Sequence, residues 1–273
     1  MNLSISNLSF PREEKLRAYA LIAKLGAKGV EIAPTRLAGW DAMTVETFAE
    51  EASILDDFGL RASSLQAIVF DKPQLELLGA EESFNELCAH IRRISEIAMT
   101  LGCSVAVFGA PKNRQRNGLT EDVAVGYAID RFARLGELCA ENGLIIGIEP
   151  VPAFYGCDFI LNAETATRIV RKVNSPNIRL HLDTGCALLG SDDIADAIAQ
   201  GSDVLAHFHI AEPKLAEFNE PKAEHDRAAS SLALMGYNKW LAIEMFQAPD
   251  WRRAVTSAIQ FSLRTYDVPR QRQ

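Results

Sequence analysis

The segment SVAVFGAPKNRQRNGLTEDVAVGYAIDRFARLGELCAENGLIIGIEP, residues 104–150, decides the fold. It starts with a short apolar run, continues with apolar residues at helical spacing, and ends with a second apolar run, LIIGIEP. Short apolar runs between turn residues are typical of strands buried on both faces, and a helix between two of them is typical of a βαβ unit. The segment therefore predicts two parallel strands connected by a helix.

The same alternation extends along the whole chain. The expected strands lie at residues 3–10, 29–34, 61–70, 104–110, 144–150, 178–185, 204–213 and 240–246. Thr44 and Asn162 are expected helix N-caps. Glycines follow four expected helix ends, at Gly26, Gly59, Gly102 and Gly143.

Eight strands that alternate with helices in about 250 residues predict a (β/α)8 TIM barrel, an α/β fold. We expect one domain over residues 1–273, because no stretch has the composition of a linker. A doubly wound open sheet is the main alternative. It is disfavoured because the first expected strand continues into SFPREE, without the GxGxxG signature of dinucleotide binding.

Composition excludes several classes of protein. The chain has 273 residues, of which 48% are hydrophobic and 23% are charged, as is typical of a soluble globular protein. Its net charge of −8 argues against a nucleic-acid partner, which requires a clustered basic face. The N-terminal sequence MNLSISNLSFPREEK lacks the features of a signal peptide, and no apolar run is long enough for a membrane span. Five cysteines without a CxxC pair predict reduced thiols and a cytoplasmic location.

Functional side chains of a (β/α)8 barrel lie at the carboxyl ends of the strands. Four successive expected strands end in residues of metal-ligand type: Glu149, Asp183, His209 and Glu244. Each residue alone also has a structural explanation. Glu149 would cap a helix or pair with an arginine, and Asp183 would begin a turn. His209 would be a hydrogen-bonded core histidine, and Glu244 would face the outer helices. Together they favour a site, because three buried carboxylates repel one another unless a cation lies among them. The pattern predicts one divalent metal ion bound by these four residues.

The motifs GIEP, LHLDTG, HFHIAEP and AIEMF follow in this order on the matching strands. They resemble those of the xylose-isomerase-like TIM barrel superfamily of sugar phosphate isomerases and epimerases, which also includes inosose and dehydroshikimate dehydratases. The resemblance covers almost the whole chain. It implies a single ion, Mn2+, Mg2+ or Co2+, with Zn2+ as a further candidate. It also implies that Glu149 and Glu244 are the catalytic acid/base pair.

These residue types fit proton transfer next to a carbonyl, which needs a base, an acid and a cation to stabilise an enediolate. The resemblance implies a metal-dependent isomerase or epimerase of a small sugar, sugar phosphate or polyol derivative. Loss of a β-hydroxyl from the same intermediate gives dehydration, so a metal-dependent lyase is the alternative. A three-zinc endonuclease IV is disfavoured by five histidines and an acidic chain. A non-catalytic sugar-binding module also remains open.

Three positions depart from the pattern of the ketose 3-epimerases in this superfamily. Cys186 stands where those enzymes have His, Tyr155 where they have Glu, and Leu215 where they have Arg. All three positions contact substrate in those enzymes. We therefore expect the metal and the glutamate pair within a rebuilt pocket, with a specificity different from that of a free-ketose 3-epimerase.

Further polar residues near the expected strand ends are candidates for substrate binding. Lys112 and Arg114 follow the fourth strand, where they would either clamp a phosphate or carboxylate or be ordinary surface charges of a solvated loop. The other candidates are Gln66, Cys186, Glu212 and His225.

Two more histidines lie two residues deeper on the same strand faces as the expected ligands. His181 precedes Asp183, and His207 precedes His209. We expect both to orient the ligands by hydrogen bonds rather than to bind the ion. The resemblance further implies a small carbohydrate substrate and a homodimer or homotetramer.

Overall fold

Eight parallel strands close into a barrel in the computed structural model, which describes residues 2–266. Each strand pairs with the next along the chain, and the eighth pairs with the first. The strands are β1 Asn2–Ser6, β2 Gly29–Ile32, β3 Arg61–Leu65, β4 Val105–Phe108, β5 Ile145–Ile148, β6 Ile178–Asp183, β7 Leu205–Ala211 and β8 Trp240–Glu244. The predicted single-domain (β/α)8 TIM barrel is confirmed. Its predicted span of 1–273 includes Met1 and residues 267–273, which lie outside the described residues.

Helices connect the strands and cover the outside of the barrel. They are α1 Lys15–Lys24, α2 Val45–Asp57, α3 Glu81–Leu101, α4 Glu121–Ala140, α5 Ala163–Val173, α6 Thr184–Gly190, α7 Ile194–Gln200, α8 His225–Leu234 and α9 Trp251–Tyr266. Two short helices, α6 and α7, follow β6, and α6 begins directly at the strand end. None of the helices within residues 2–266 combines the length and the apolarity needed to cross a membrane.

The helix boundaries follow the predicted caps. Asn162 accepts a hydrogen bond from the Thr165 N–H. The Thr44 side chain accepts a hydrogen bond from the Thr47 N–H, and the Thr47 hydroxyl accepts one from the Thr44 N–H. This is a capping box in which Thr47 takes the place of the usual Glu or Gln. Gly102 ends α3 with φ of 73°, a conformation that costs glycine little.

Helix α3 illustrates how the layers pack. Its buried side chains recur at intervals of three and four residues, which places them on one helix face: Phe84, Leu87, Ile91, Ile94 and Ala98. They join one apolar cluster with side chains of the strands and the other helices. The apolar core therefore lies between the sheet and the helices.

The barrel interior is more polar than this outer core. Glu31 of β2 contacts His207 of β7, and the two strands are not neighbours in the sheet, so the contact crosses the interior. Ser64 of β3 joins the same group. The fold thus directs buried polar side chains to the barrel axis.

Several predicted strands are longer than the observed ones. After β1 the chain forms a 3-10 turn at Asn7–Ser9, and after β3 it turns at Ala67, whose φ is 52°. Phe10, Ile68 and Val69, which follow these turns, are still buried, which explains why they look like strand residues in the sequence, whereas Phe70 is exposed.

Candidate metal centre

The four predicted ligands meet at the carboxyl end of the barrel. Glu149 directly follows β5, Asp183 ends β6, His209 lies in β7 and Glu244 ends β8. His209 Nδ1 lies 3.7 Å from Asp183 Oδ2 and 3.3 Å from Glu244 Oε2. Ligand atoms of Glu149, Asp183 and His209 all lie within 4.8 Å of one another. Successive strands therefore bring one imidazole and three carboxylates to a common point.

The exposure of these side chains divides them into two pairs. The side chains of Asp183 and His209 are each 1% exposed, whereas those of Glu149 and Glu244 are 11% and 15% exposed. Asp183 and His209 thus form the floor of the centre. The two glutamates lie at its open side, where a small molecule would enter.

Burial makes the carboxylates hard to ionise together. It raises the pKa of Glu149 to about 8, with the negative charges of Asp183 and Glu244 adding to the effect. It raises the pKa of Asp183 to about 7, although the nearby His209 acts in the opposite direction. For His209, burial would lower the pKa, but Glu31 and Glu244 outweigh it and raise the pKa well above its ordinary value. The group is thus crowded with like charge that a cation would neutralise.

Hydrogen bonding also leaves room for a cation. Asp183 Oδ2 and His209 Nδ1 are buried and have no hydrogen-bond partner among residues 2–266. Gly109 lies against the Glu149 carboxylate, and a Cβ at this position would overlap with Oε2. Three carboxylates and one imidazole are a donor set that suits Mn2+, Mg2+, Co2+ or Zn2+. The residues therefore fit a single divalent ion.

The backbone around the ligands is held in place. Asp183 Oδ1 accepts a 2.6 Å hydrogen bond from the Cys186 N–H and so caps α6. Arg114 donates a 2.7 Å hydrogen bond to the Glu149 carbonyl oxygen and longer ones to the carbonyls of Phe108 and Ile160. Both contacts fix the strand ends from which the ligands project.

A buried carboxylate that sequence reasoning missed lies behind His209. Glu31 is 0% exposed, and its Oε1 lies 3.0 Å from His207 Nε2 and 3.1 Å from His209 Nε2. The Ser64 hydroxyl donates to the same oxygen at 2.7 Å. Burial would raise the pKa of Glu31, but His209 and His207 outweigh it and hold it well below its ordinary value. The signal in the sequence was an acid inside an apolar run, GVEIAP.

His181 completes the buried histidine group. Its ring lies 4.1 Å from that of His209 and stacks on that of His207 at 5.3 Å, measured between centroids. In the described part of the chain neither ring nitrogen has a hydrogen-bond partner, and Nε2 lies 3.9 Å from Glu149 Oε1. Burial lowers the pKa of His181 well below its ordinary value, as do His209 and His207, so the ring is neutral. Gly147 makes room for it, because a Cβ there would lie 3.1 Å from His181 Cβ.

The family model described as xylose isomerase-like TIM barrel matches residues 19–265. The chain belongs to this family. A curated relative, the ketose 3-epimerase of Arthrobacter globiformis, is 22% identical over 220 residues, which are 78% of this chain and 73% of the relative.

Two solved structures share the whole barrel. The D-psicose 3-epimerase of Clostridium cellulolyticum H10 has a TM-score of 0.83 at 15% identity, with 98% of this chain and 100% of that one covered. The 3-keto-D-glucoside 4-epimerase of E. coli has a TM-score of 0.79 at 19% identity, with 97% and 99% covered. At these identities the likeness shows a common fold.

In this xylose isomerase-like barrel, Arg114 does not lie where the sequence suggested. It was expected to clamp an anionic substrate, but it is 0% exposed and directs its guanidinium to backbone carbonyls. The reason is the turn after β4, where Ala110 adopts φ of 38° and the chain folds back over the strand end. Lys112, on the same turn, is exposed to solvent. The expected clamp is therefore corrected to one surface lysine and one buried structural arginine.

Glu212 and His225 are also buried, at 2% and 3% exposure. Glu212 Oε1 lies 2.6 Å from His225 Nε2, and Glu212 accepts the Lys222 N–H at 2.8 Å. His225 Nδ1 lies 2.8 Å from the Tyr266 hydroxyl. These contacts occupy both side chains, which thus hold the connection between β7 and α8 instead of facing the centre as expected.

Cys186 and Gln66 lie at the barrel mouth. Cys186 is half-buried, and its thiol lies 3.7 Å from Glu149 Oε1. Gln66 is buried and donates its amide to the Ser6 hydroxyl. Cys186 therefore lies beside Glu149, whereas the Gln66 side chain forms a hydrogen bond between the ends of β1 and β3.

Two of the positions at which the sequence departs from the pattern of the ketose 3-epimerases lie in the loops after β5 and β7. Burial raises the pKa of Tyr155, and so do the nearby groups Cys186, Asp183 and Glu244, which places the phenol close to the ligands. The Tyr155 hydroxyl accepts a 3.0 Å hydrogen bond from the Lys214 N–H. Leu215 has φ of 54°, and its carbonyl accepts the Phe246 N–H at 2.9 Å. An aromatic and an aliphatic residue thus stand at the two positions where the resemblance implies charged ones.

Proposed function

We propose that this protein is a divalent-metal-dependent epimerase of a small, uncharged sugar or polyol derivative that carries a ketone. The observation that supports it most is the group of Glu149, Asp183, His209 and Glu244, with unpartnered atoms directed at one point. Glu149, Asp183, His209 and Glu244 would hold the ion. When bound, the ion supplies positive charge that orients substrate oxygens and stabilises negative charge next to the carbonyl.

The names of the relatives agree on one reaction type. A ketose 3-epimerase inverts the carbon next to a C2 ketone, and a 3-keto-glucoside 4-epimerase inverts the carbon next to a C3 ketone. In both, the hydrogen that leaves is acidified by the adjacent carbonyl. We infer the same chemistry for this chain.

The two glutamates are suited to move that hydrogen. They are the exposed pair of the four ligands, and they project from β5 and β8, with β6 and β7 between them. One carboxylate removes a proton from one face of the carbon and leaves an enediolate. The other returns a proton to the opposite face, so the configuration is inverted with no net change in oxidation state or composition.

The floor of the centre serves a different purpose. Asp183 and His209 are fully buried, so they would contact the ion and not the reacting carbon. The Tyr155 and Cys186 side chains border the open side, where they would exclude water from the carbanionic intermediate.

An uncharged substrate is favoured over a phosphorylated one. Arg114 is buried against carbonyls, which leaves exposed Lys112 as the remaining member of the expected anion clamp. A single flexible surface lysine contributes little to binding energy.

The proposal also covers the identity of the metal ion, the cellular location of the protein and its oligomeric state. Mn2+ suits three oxygen ligands and one nitrogen ligand. The five cysteines are free thiols, which fits a cytoplasmic protein. We expect a homodimer or homotetramer, as the resemblance implies.

The experiment is a deuterium wash-in screen. The purified protein is loaded with Mn2+ in deuterated water and incubated with ketoses, ketose phosphates, 3-keto-glycosides and inososes. An epimerase incorporates one deuterium at a carbon next to the ketone and yields an epimer of unchanged composition. Release of water with an unsaturated product would instead identify a lyase. Exchange in none of the substrates, with the ion bound, would contradict the proposal.

A further inference from the structure

We propose that Glu31 is a positioning residue of the centre: it holds the His209 ring with its proton on Nε2 and its Nδ1 lone pair directed at the ion. The inference rests on the metal centre proposed above. It concerns a residue of β2, on a strand that supplies none of the four ligands.

The hydrogen-bond geometry determines which ring nitrogen is free. Both oxygens of Glu31 lie close to His209 Nε2, Oε1 at 3.1 Å and Oε2 at 3.0 Å. A carboxylate only accepts hydrogen bonds, so Nε2 has to donate. An imidazole that binds a metal ion is neutral and carries one proton, so a proton on Nε2 leaves the Nδ1 lone pair for the ion.

Nδ1 faces two carboxylates. Asp183 Oδ2 lies at 3.7 Å and Glu244 Oε2 at 3.3 Å, and within residues 2–266 the buried Nδ1 has no hydrogen-bond partner. An acceptor that faces other acceptors in a dry site is destabilised unless a proton or a metal ion lies between them. The Nε2–H form of His209 is therefore the form that completes the ligand set.

Glu31 is itself held from two other strands. The Ser64 hydroxyl of β3 donates to Oε1 at 2.7 Å, and His207 Nε2 of β7 lies 3.0 Å from the same oxygen. The carboxylate is completely buried, so its orientation does not depend on solvent. Such support behind a ligand lowers the entropy that is lost when the ion binds.

The same contacts argue against a second metal site in the barrel. His181, His207 and His209 lie close enough together to hold an ion. However, the Nε2 atoms of His207 and His209 already meet Glu31. The geometry thus assigns this inner group to support of His209.

The first test measures metal affinity. Glu31→Gln keeps the size of the side chain but replaces one acceptor oxygen with an NH2 group, which would meet imidazole N–H donors. We expect the Kd for Mn2+ of the metal-stripped protein to rise about 10- to 100-fold, measured by calorimetry or by the free-Mn2+ signal in electron paramagnetic resonance.

Glu51→Gln is the matched control. Glu51 is a second buried glutamate, 1% exposed, which pairs with Lys15 and Tyr19 in the outer layer. Its replacement removes a buried carboxylate of the same kind and is expected to lower the melting temperature without changing the Kd for Mn2+. An equal loss of affinity in both variants, or a Glu31→Gln Kd within twofold of that of the original protein, would overturn the assignment.

The second test needs no variant. The protein loaded with Zn2+, a diamagnetic probe, is examined by long-range 1H–15N correlation of its histidine rings. We expect His209 to bind the ion through Nδ1 and to carry a slowly exchanging proton on Nε2. Coordination through Nε2 would refute the proposal even if Glu31→Gln failed to fold. If the original protein bound neither Mn2+ nor Zn2+, the metal centre itself would be wrong, which is a different outcome.

Discussion

The Arg114 guanidinium donates a 2.7 Å hydrogen bond to the backbone carbonyl oxygen of Glu149, the residue that follows β5. The arginine is completely buried, and among the described residues it forms no ion pair with a carboxylate within 4.0 Å. A charged side chain therefore fixes the backbone of a glutamate that we propose to be catalytic. This relationship leads to the first prediction.

Arg114→Ala should destabilise the protein and lower turnover for every substrate alike. The change leaves buried carbonyls without donors and opens a cavity, which should cost about 2–4 kcal/mol of unfolding free energy. Thermal unfolding should show a melting temperature lower by roughly 5–15 °C. Lys112→Ala on the same turn is the control and should change stability by less than about 0.5 kcal/mol. If Arg114→Ala instead raised KM for phosphorylated substrates only, the result would support the original hypothesis that Arg114 binds an anionic substrate group.

Asp183→Asn and His209→Ala should each abolish tight binding of the ion. Both residues lie at the buried floor, where a lost ligand is not readily replaced by solvent. We expect the Kd for Mn2+ to rise at least about 100-fold and epimerase activity to fall with it. Metal analysis of the purified variants checks the first effect, and activity at saturating Mn2+ checks the second. Full occupancy and normal turnover in either variant would contradict the ligand assignment.

The stability of the metal-stripped protein should fall as the pH rises from about 6.5 to 8. Burial and like charge raise the pKa of Glu149 to about 8 and that of Asp183 to about 7, above the values of about 4 expected in the unfolded chain. Below about pH 6.5, buried histidines oppose this effect, because burial lowers the pKa of His181 and His207 and only the unfolded chain protonates them. Above that pH the folded state holds more protons than the unfolded state, so the unfolding free energy decreases with pH.

Addition of Mn2+ should remove this pH dependence, because the ion binds the ionised carboxylates and releases their protons. Calorimetry at pH 7 in buffers of different ionisation enthalpy should detect more than about one proton released per ion. Proton release near zero, or a stripped protein whose melting temperature is flat over this range, would show that the carboxylates are already ionised without the ion.

The sequence was sufficient to predict the barrel and the convergence of the four proposed ligands, because both depend on local patterns. Each apolar run marks a strand, and Glu149, Asp183 and Glu244 stand where such a run ends. The carboxyl ends of parallel strands necessarily meet at one end of a barrel, so the convergence follows from the fold.

Two residues escaped prediction for physical reasons. Glu31 lies inside an apolar run, and its partner His207 is 176 positions away in the sequence and on the far side of the barrel. No local pattern reports a contact of that kind. Arg114 follows a strand and looks solvent-exposed, but the backbone reversal at Ala110 buries it. Side-chain direction after a turn depends on backbone angles that residue types alone leave open.

Cys186→His should change substrate preference while metal binding is retained. The Cys186 thiol lies 3.7 Å from Glu149 Oε1, so a side chain here reaches the catalytic pair. An imidazole adds a hydrogen-bond donor where the ketose 3-epimerases have one. We expect the ratio of kcat/KM for free ketohexoses to that for the best substrate of the original protein to rise about tenfold. Cys186→Ser, which has the size of cysteine, is the control. An unchanged ratio would place the pocket's specificity elsewhere.

The last prediction separates the roles of the two glutamates. Glu149→Gln and Glu244→Gln keep an oxygen that can contact the ion but remove the proton acceptor, so kcat for epimerisation should fall about 10²- to 10⁴-fold. Each variant still has one carboxylate, which can remove a proton from its own face and return deuterium to the same face. In deuterated water each variant should therefore label one epimer only, and the two variants should label opposite epimers. Labelling of the same epimer by both, with the ion bound, would mean that one glutamate acts on both faces and the two-base scheme is wrong.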